Sequence, residues 1–167
     1  GNLNWNGELQ AEKVTLSDLS IDWPEVVITG LEASGKGALS SYSIQAKTSA
    51  TYETFQDINV SVDLIGDSGG VKVKDIQLTY NETELSAKGQ ITWKDILSWQ
   101  VNLSGSEINP ALYDPQWPGR LTLKVSSSGQ INNGEVKAVA DLVKLEGELR
   151  EFPLMAKGKV EMAGNDF

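Results

Sequence analysis

The sequence predicts an all-β protein, an antiparallel meander of strands with one apolar face, and three observations predict it. Apolar and polar residues alternate with a period of two along most of the 167 residues, the period at which neighbouring side chains of a strand point to opposite faces. Clusters of Gly, Asn, Asp and Ser separate the alternating runs, as tight hairpin turns require. No window sustains the 3.6-residue apolar stripe of an amphipathic helix, so helix is expected to be minor.

Taken in order, Val14 to Leu19 is ambiguous, and Val26 to Thr29 reads as a strand entered through Asp22-Trp23-Pro24. Proline lacks an amide donor and suits a strand's first residues. Gly30-Leu31-Glu32-Ala33-Ser34-Gly35-Lys36-Gly37 then reads as a loop. From Tyr42 to Tyr52 one phase carries Tyr42, Ile44, Ala46, Thr48, Ala50 and Tyr52, and the other Ser43, Gln45, Lys47, Ser49 and Thr51. The same alternation holds for Ile58, Val60, Val62 and Leu64, and after the turn Gly66-Asp67-Ser68-Gly69-Gly70 for Ile76, Leu78 and Tyr80. Beyond Asn81-Glu82 it resumes with Leu85, Ala87, Gly89, Ile91 and Trp93; Trp93 to Ile96 reads as a bend or a helical turn; Leu97, Trp99, Val101 and Leu103 follow. A second Trp-Pro step, Trp117-Pro118-Gly119, leads into Leu121, Leu123 and Val125. After Ile131-Asn132-Asn133-Gly134 come Val136, Ala138, Ala140 and Leu142, then Leu145, Gly147 and Leu149, and finally Leu154, Ala156, Gly158, Val160 and Met162. At least nine strands result. Leu85 to Ile91 and Leu154 to Val160 echo each other, with Ile44 to Lys47 as a partial third copy, but the copies are irregularly spaced, so no fixed-period solenoid is expected.

Composition narrows the function. A chain of this length is expected to be a single β-rich domain, residues 1–167, and its ends read as those of a piece of a longer protein. No stretch approaches the roughly 18 apolar residues of a membrane helix, so any membrane contact is expected through segments outside this one. With no histidine and no cysteine, the imidazole base, the thiol nucleophile and the usual zinc clusters are absent. A net charge of −9 with only Arg120 and Arg150 as arginines offers no basic stripe for phosphates, and nucleic acid is not an expected partner.

Motifs that resemble catalytic ones lack their chemistry. Gly66-Asp67-Ser68-Gly69-Gly70 spells a serine-protease nucleophile loop, but the chain has no histidine to take the serine proton. Gly30 to Gly37 resembles a phosphate loop, yet Gly37 stands where Ser or Thr would hold magnesium, and a strand pattern replaces the following helix. Glu146, Glu148, Glu151, Asp57 and Asp63 fall mainly on polar strand phases, as solvated residues do. Three glycosylation-type triplets, starting at Asn59, Asn81 and Asn102, are too short to be specific. The expectation is no enzyme, no cofactor and no metal.

An apolar sheet face must be hidden by a second sheet in a sandwich, by closure into a barrel, or by curling into a trough that receives something apolar. Strand phase alone puts on that face Tyr42, Ile44, Ile58, Val60, Val62, Leu64, Ile76, Leu78, Leu85, Ile91, Leu97, Trp99, Val101, Leu103, Leu121, Leu123, Val125, Val136, Leu142, Leu149, Leu154 and Val160. A resemblance favours the trough. Trp99-Gln100-Val101-Asn102-Leu103, the Asn109-Pro110 step, Trp117-Pro118-Gly119, and the hairpin from Gly147-Glu148-Leu149-Arg150 through Pro153-Leu154-Met155-Ala156-Lys157-Gly158 succeed one another as in the repeating region of TamB-type proteins. The match covers about 70 residues, with Glu151 and Phe152 where the family often has glycine and another short residue.

The resemblance implies a segment of a long periplasmic protein of Gram-negative bacteria, anchored in the inner membrane, with AsmA-like architecture. Its sheet would be a β-taco whose trough shields phospholipid acyl chains between the two membranes. Its C-terminal end would meet the outer-membrane barrel protein TamA in support of outer-membrane biogenesis. The 22 residues named above would then line the trough, with small Ala87, Ala138, Ala140 and Ala156 keeping it wide. The alternative is a periplasmic sandwich that binds protein and no lipid.

Overall fold

The computed structural model describes residues 4–15, 26–38, 40–52 and 55–164. They form one antiparallel sheet of ten strands in chain order: β1 Trp5–Thr15, β2 Val26–Ala38, β3 Ser41–Tyr52, β4 Phe55–Asp67, β5 Gly70–Tyr80, β6 Thr83–Thr92, β7 Leu97–Ile108, β8 Gly119–Asn132, β9 Glu135–Leu149 and β10 Phe152–Gly164. The single described helical element is a 3-10 turn, Pro110–Leu112, between β7 and β8.

Turn chemistry sets this order. Asn133 and Gly134 take φ of 49° and 83°, and Arg150 and Glu151 take 52° and 67°. Two consecutive left-handed residues give a turn whose twist matches that of the flanking strands, which locks each pair as an adjacent hairpin. At the β4–β5 turn, Asp67 Oδ1 accepts the Gly69 amide at 2.7 Å.

Bulges bend the strands in their middles. Against β4, β5 carries Lys74 as an extra residue between the pairs Asp63/Asp75 and Leu64/Val73. Against β8, β9 carries Val143 between Lys124/Lys144 and Val125/Leu142. Against β3, β2 sets Gly30 and Leu31 opposite Thr48, with Gly30 at φ 59°. An extra residue on one strand kinks it and tightens its twist, and the sheet curls into an open trough instead of lying flat.

Neither a sandwich nor a barrel forms among the described residues. The strand order runs β1 to β10 without a β1–β10 pairing, and there is no second sheet. Among the described residues only Ala38 (8%), Val136 (6%), Thr83 and Gly105 are buried, and no large side chain is sealed from solvent. A sandwich of this size would enclose two interlocking layers of side chains. Instead, backbone ladders and cross-strand side-chain pairs hold the sheet.

Some expectations change. Gly30 to Gly37 is not a loop but the middle of β2, where a bulge at Gly30 breaks the alternation. Trp5–Thr15 is a strand that the alternation left unassigned, because Gly7 and Ala11 dilute its apolar phase. Val14 and Thr15 end it, while Leu16 to Leu19, like Asp22-Trp23-Pro24, lie outside the described residues. The runs 136–142 and 145–149 are one strand, β9, with Val143 between them. Trp93 to Ile96 is a bend and not a helical turn.

Candidate functional site

Directly paired residues of antiparallel strands point to the same face, so register traces rows across the sheet. One row runs Gly7, Gly35, Ile44, Leu64, Val73, Gly89, Val101, Ser127, Ala140, Val160. The next runs Leu9, Ala33, Ala46, Val62, Ile76, Ala87, Leu103, Val125, Leu142, Gly158. A third runs Ala11, Leu31, Thr48, Val60, Leu78, Leu85, Gly105, Leu123, Leu145, Ala156, with Leu31 at the bulge. These three rows form a floor without a charged or aromatic side chain. Its two hydroxyls are engaged within the sheet: Ser127 Oγ accepts Trp99 Nε1–H at 3.1 Å, and Thr48 Oγ1 donates to the Thr29 carbonyl at 3.0 Å.

Aromatic residues border the floor on both sides. On one side the row is Trp5, Gly37, Tyr42, Gly66, Val71, Ile91, Trp99, Gly129, Ala138, Met162. Here glycines make room for rings. A Cβ on Gly35 would come within 2.6 Å of Trp5, one on Gly66 within 2.6 Å of Tyr42 Cζ, and one on Gly129 would collide with Trp99. At the other side Phe55 centres a cluster, with Tyr80 edge-on at 5.3 Å, Tyr52 stacked at 6.5 Å and Tyr113 tilted at 5.7 Å between ring centroids.

Register brings all 22 residues of the sequence-derived set to this one face. Ile44, Ile58, Val60, Val62, Leu64, Ile76, Leu78, Leu85, Val101, Leu103, Leu121, Leu123, Val125, Leu142, Leu154 and Val160 occupy the floor and the row beside it. Tyr42, Ile91, Leu97, Trp99, Val136 and Leu149 stand nearer the strand ends. Trp5, Leu9, Val71, Val73 and Ile108 share the face but were not in the set. For Val71 and Val73 the reason is the Lys74 bulge, which puts them out of phase with Ile76 and Leu78. Ala87, Ala138, Ala140 and Ala156 also point this way.

The opposite face is charged. Asp63 and Asp75 stand directly across from each other, and each of their occluded Oδ1 atoms is compensated by a lysine: Lys74 at 3.6 Å from Asp63 and Lys88 at 3.5 Å from Asp75. Lys144 pairs with Glu146, and Lys137 with Glu135 at 3.1 Å. On β10, the hydrogen bond and then the charge of Glu161 hold Lys159 above its usual value, and Lys159 holds Glu161 below its own in the same way. Glu146, Glu148 and Asp63 lie on this face, whereas Asp57 and Glu151 sit at left-handed positions of a bulge and a turn. The sheet is thus amphipathic through its thickness: one face suits water, and the other suits a ligand that needs apolar contact and no hydrogen bonds.

The family described as TamB, N-terminal domain, has a model that matches residues 2–166. No solved structure matches the chain.

Proposed function

Since the chain belongs to the TamB family, we propose that its trough shields phospholipid acyl chains on their way between the inner and outer membranes. TamB proteins are transport and assembly modules of the Gram-negative envelope, not a known enzyme family. In this reading residues 1–167 are one β-rich domain of a longer periplasmic protein anchored in the inner membrane. That protein supports outer-membrane biogenesis and meets the barrel protein TamA through its C-terminal end. The 22 apolar-face residues line the lipid path, and no cofactor takes part.

The observation that carries the reading is the uncovered apolar floor. A methylene fully removed from water gains about 0.8 kcal/mol, and one laid on an open floor gains part of that; hydrocarbon asks for no donor or acceptor. Across ten strands at about 4.8 Å spacing the floor runs about 43 Å. One acyl chain spans half of a roughly 30 Å hydrocarbon core, or about 15 Å. The floor therefore has length for more than one lipid in file.

Native mass spectrometry on the chain, purified from a bacterial periplasm and treated gently with a mild detergent, tests this. Phospholipid should accompany the parent chain and an Asn102→Asp variant, whose new charge sits on the polar face. It should be lost from Val101→Asp. A lipid-free parent that also ignores added fatty-acyl probes would move the apolar face to the protein-binding alternative.

A further inference from the structure

Among the described connections, that between β7 and β8, residues 109–118, is the longest, and it is built in two unlike parts. Its base is tied down. Asn109 Oδ1 accepts the amides of Ala111 at 3.1 Å and Gly119 at 3.3 Å, so one side chain closes both ends. Arg120 reaches Glu107 at 2.9 Å and Glu82 at 3.4 Å, the Arg150 amide donates to the Pro118 carbonyl at 2.7 Å, and the Arg150 guanidinium lies 5.2 Å over the Trp117 ring. Its tip touches the sheet through a single ring. Tyr113 is 83% exposed and meets Phe55 of β4 at 5.7 Å. Strands β5 and β6 lie between β4 and β7, so this contact carries the connection across the end of the β5–β6 hairpin, on the apolar side of the sheet.

We infer that residues 109–118 form a latch over one rim of the trough, closed by Tyr113 on Phe55 and hinged at its clamped base, whose opening admits an acyl chain sideways. The inference rests on the reading of the trough as a lipid path. An aromatic pair is weak enough to break thermally, and a clamped base returns the tip to the same place.

The chain has no cysteine, so Gln56→Cys and Gln116→Cys can carry spin labels on β4 and on the latch. The parent should give one short distance by double electron–electron resonance. Tyr113→Ala should enlarge a longer-distance component about two- to thirteenfold, the range set by the coupling of an aromatic pair. Loading of a fluorescent fatty-acyl probe should quicken by the same factor with the final amount bound unchanged. A Phe55→Cys, Tyr113→Cys pair closed with a short bis-maleimide should slow it. An unchanged distance distribution in Tyr113→Ala overturns the latch, and so does loading indifferent to both variants. If distances respond but no protein takes up the probe, the latch stands as a hinge and the lipid reading falls.

Discussion

At Gly129 the absence of a side chain is what lets Trp99 lie across β8, with its indole N–H on Ser127. A methyl group there would meet the Trp99 ring and the Lys137 carbonyl, the latter at 2.7 Å. Gly129→Ala should therefore destabilise by about 1–3 kcal/mol, the usual range for overpacking, and denaturant titration followed by Trp fluorescence would show it. The β9–β10 turn goes the other way. Glu151 holds φ 67°, a conformation that costs an L-residue roughly 1–2 kcal/mol, while glycine there costs some unfolded-state entropy. Glu151→Gly should stabilise by about 0.5–1 kcal/mol net, visible as a higher Tm. This position was half legible in the sequence: the family's usual glycine marks the turn, but only the backbone reveals that both Arg150 and Glu151 are left-handed. The Lys159–Glu161 pair has a definite sign with pH. Glu161, lowered, supports the fold above its unfolded value and loses that support as pH falls; Lys159, raised, does so below its unfolded value and loses it as pH rises. Both are solvent-exposed, so the effect is screened.

For elements, period two carried most of the reading, and bulges mark where it failed. Strand β5 shows why. Val71 and Val73 precede Lys74 on odd numbers, Ile76 and Leu78 follow on even ones, and a reader counting in twos keeps only one half. The same slip at Val143 makes β9 look like two strands. Nothing in residue chemistry announces either site, since neither Lys74 nor Val143 is a glycine or proline. The bulges nevertheless decide the facing of every residue beyond them. Deleting Lys74 should close the bulge, because Val73 and Ile76 then stand two residues apart with Asp75 between them, and Val71, Val73, Ile76 and Leu78 keep their face in one regular alternation. Unfolding should stay cooperative in this variant and in Lys74→Ala. The alanine variant loses the same contact with Asp63 at a cost of about 0.2–1 kcal/mol but keeps the bulge, so the difference between the two measures what the bulge contributes. Chemical denaturation of the two variants side by side gives that difference. The long β7–β8 connection was legible only as a break in alternation around Asn109-Pro110 and Trp117-Pro118. Where Tyr113 comes to rest depends on Phe55, more than 50 residues away in sequence, and no local pattern encodes it.

For the molecule as a whole, the open trough makes the consequence of a buried charge a test of architecture. In a sealed core, an unpaired aspartate would cost about 3–5 kcal/mol and could unfold a domain. Here Val101 and Leu123 are half-buried on a face with no second layer above it. A carboxylate at either position can reach water along the trough, and what is lost is mainly strand propensity and cross-strand contact, about 1–2 kcal/mol. Val101→Asp and Leu123→Asp should therefore keep the circular dichroism spectrum of the parent with a modestly lower Tm. They lie in different rows, with Val101 paired to Gly89 and Ser127, and Leu123 to Gly105 and Leu145. If acyl chains run along the floor past every strand, either charge alone should interrupt the path. In a lipid-transfer assay between donor and acceptor vesicles, both single variants should then be as slow as the double variant. Additive losses would mean separate binding patches, and unchanged transfer in folded variants would mean that the floor carries no lipid.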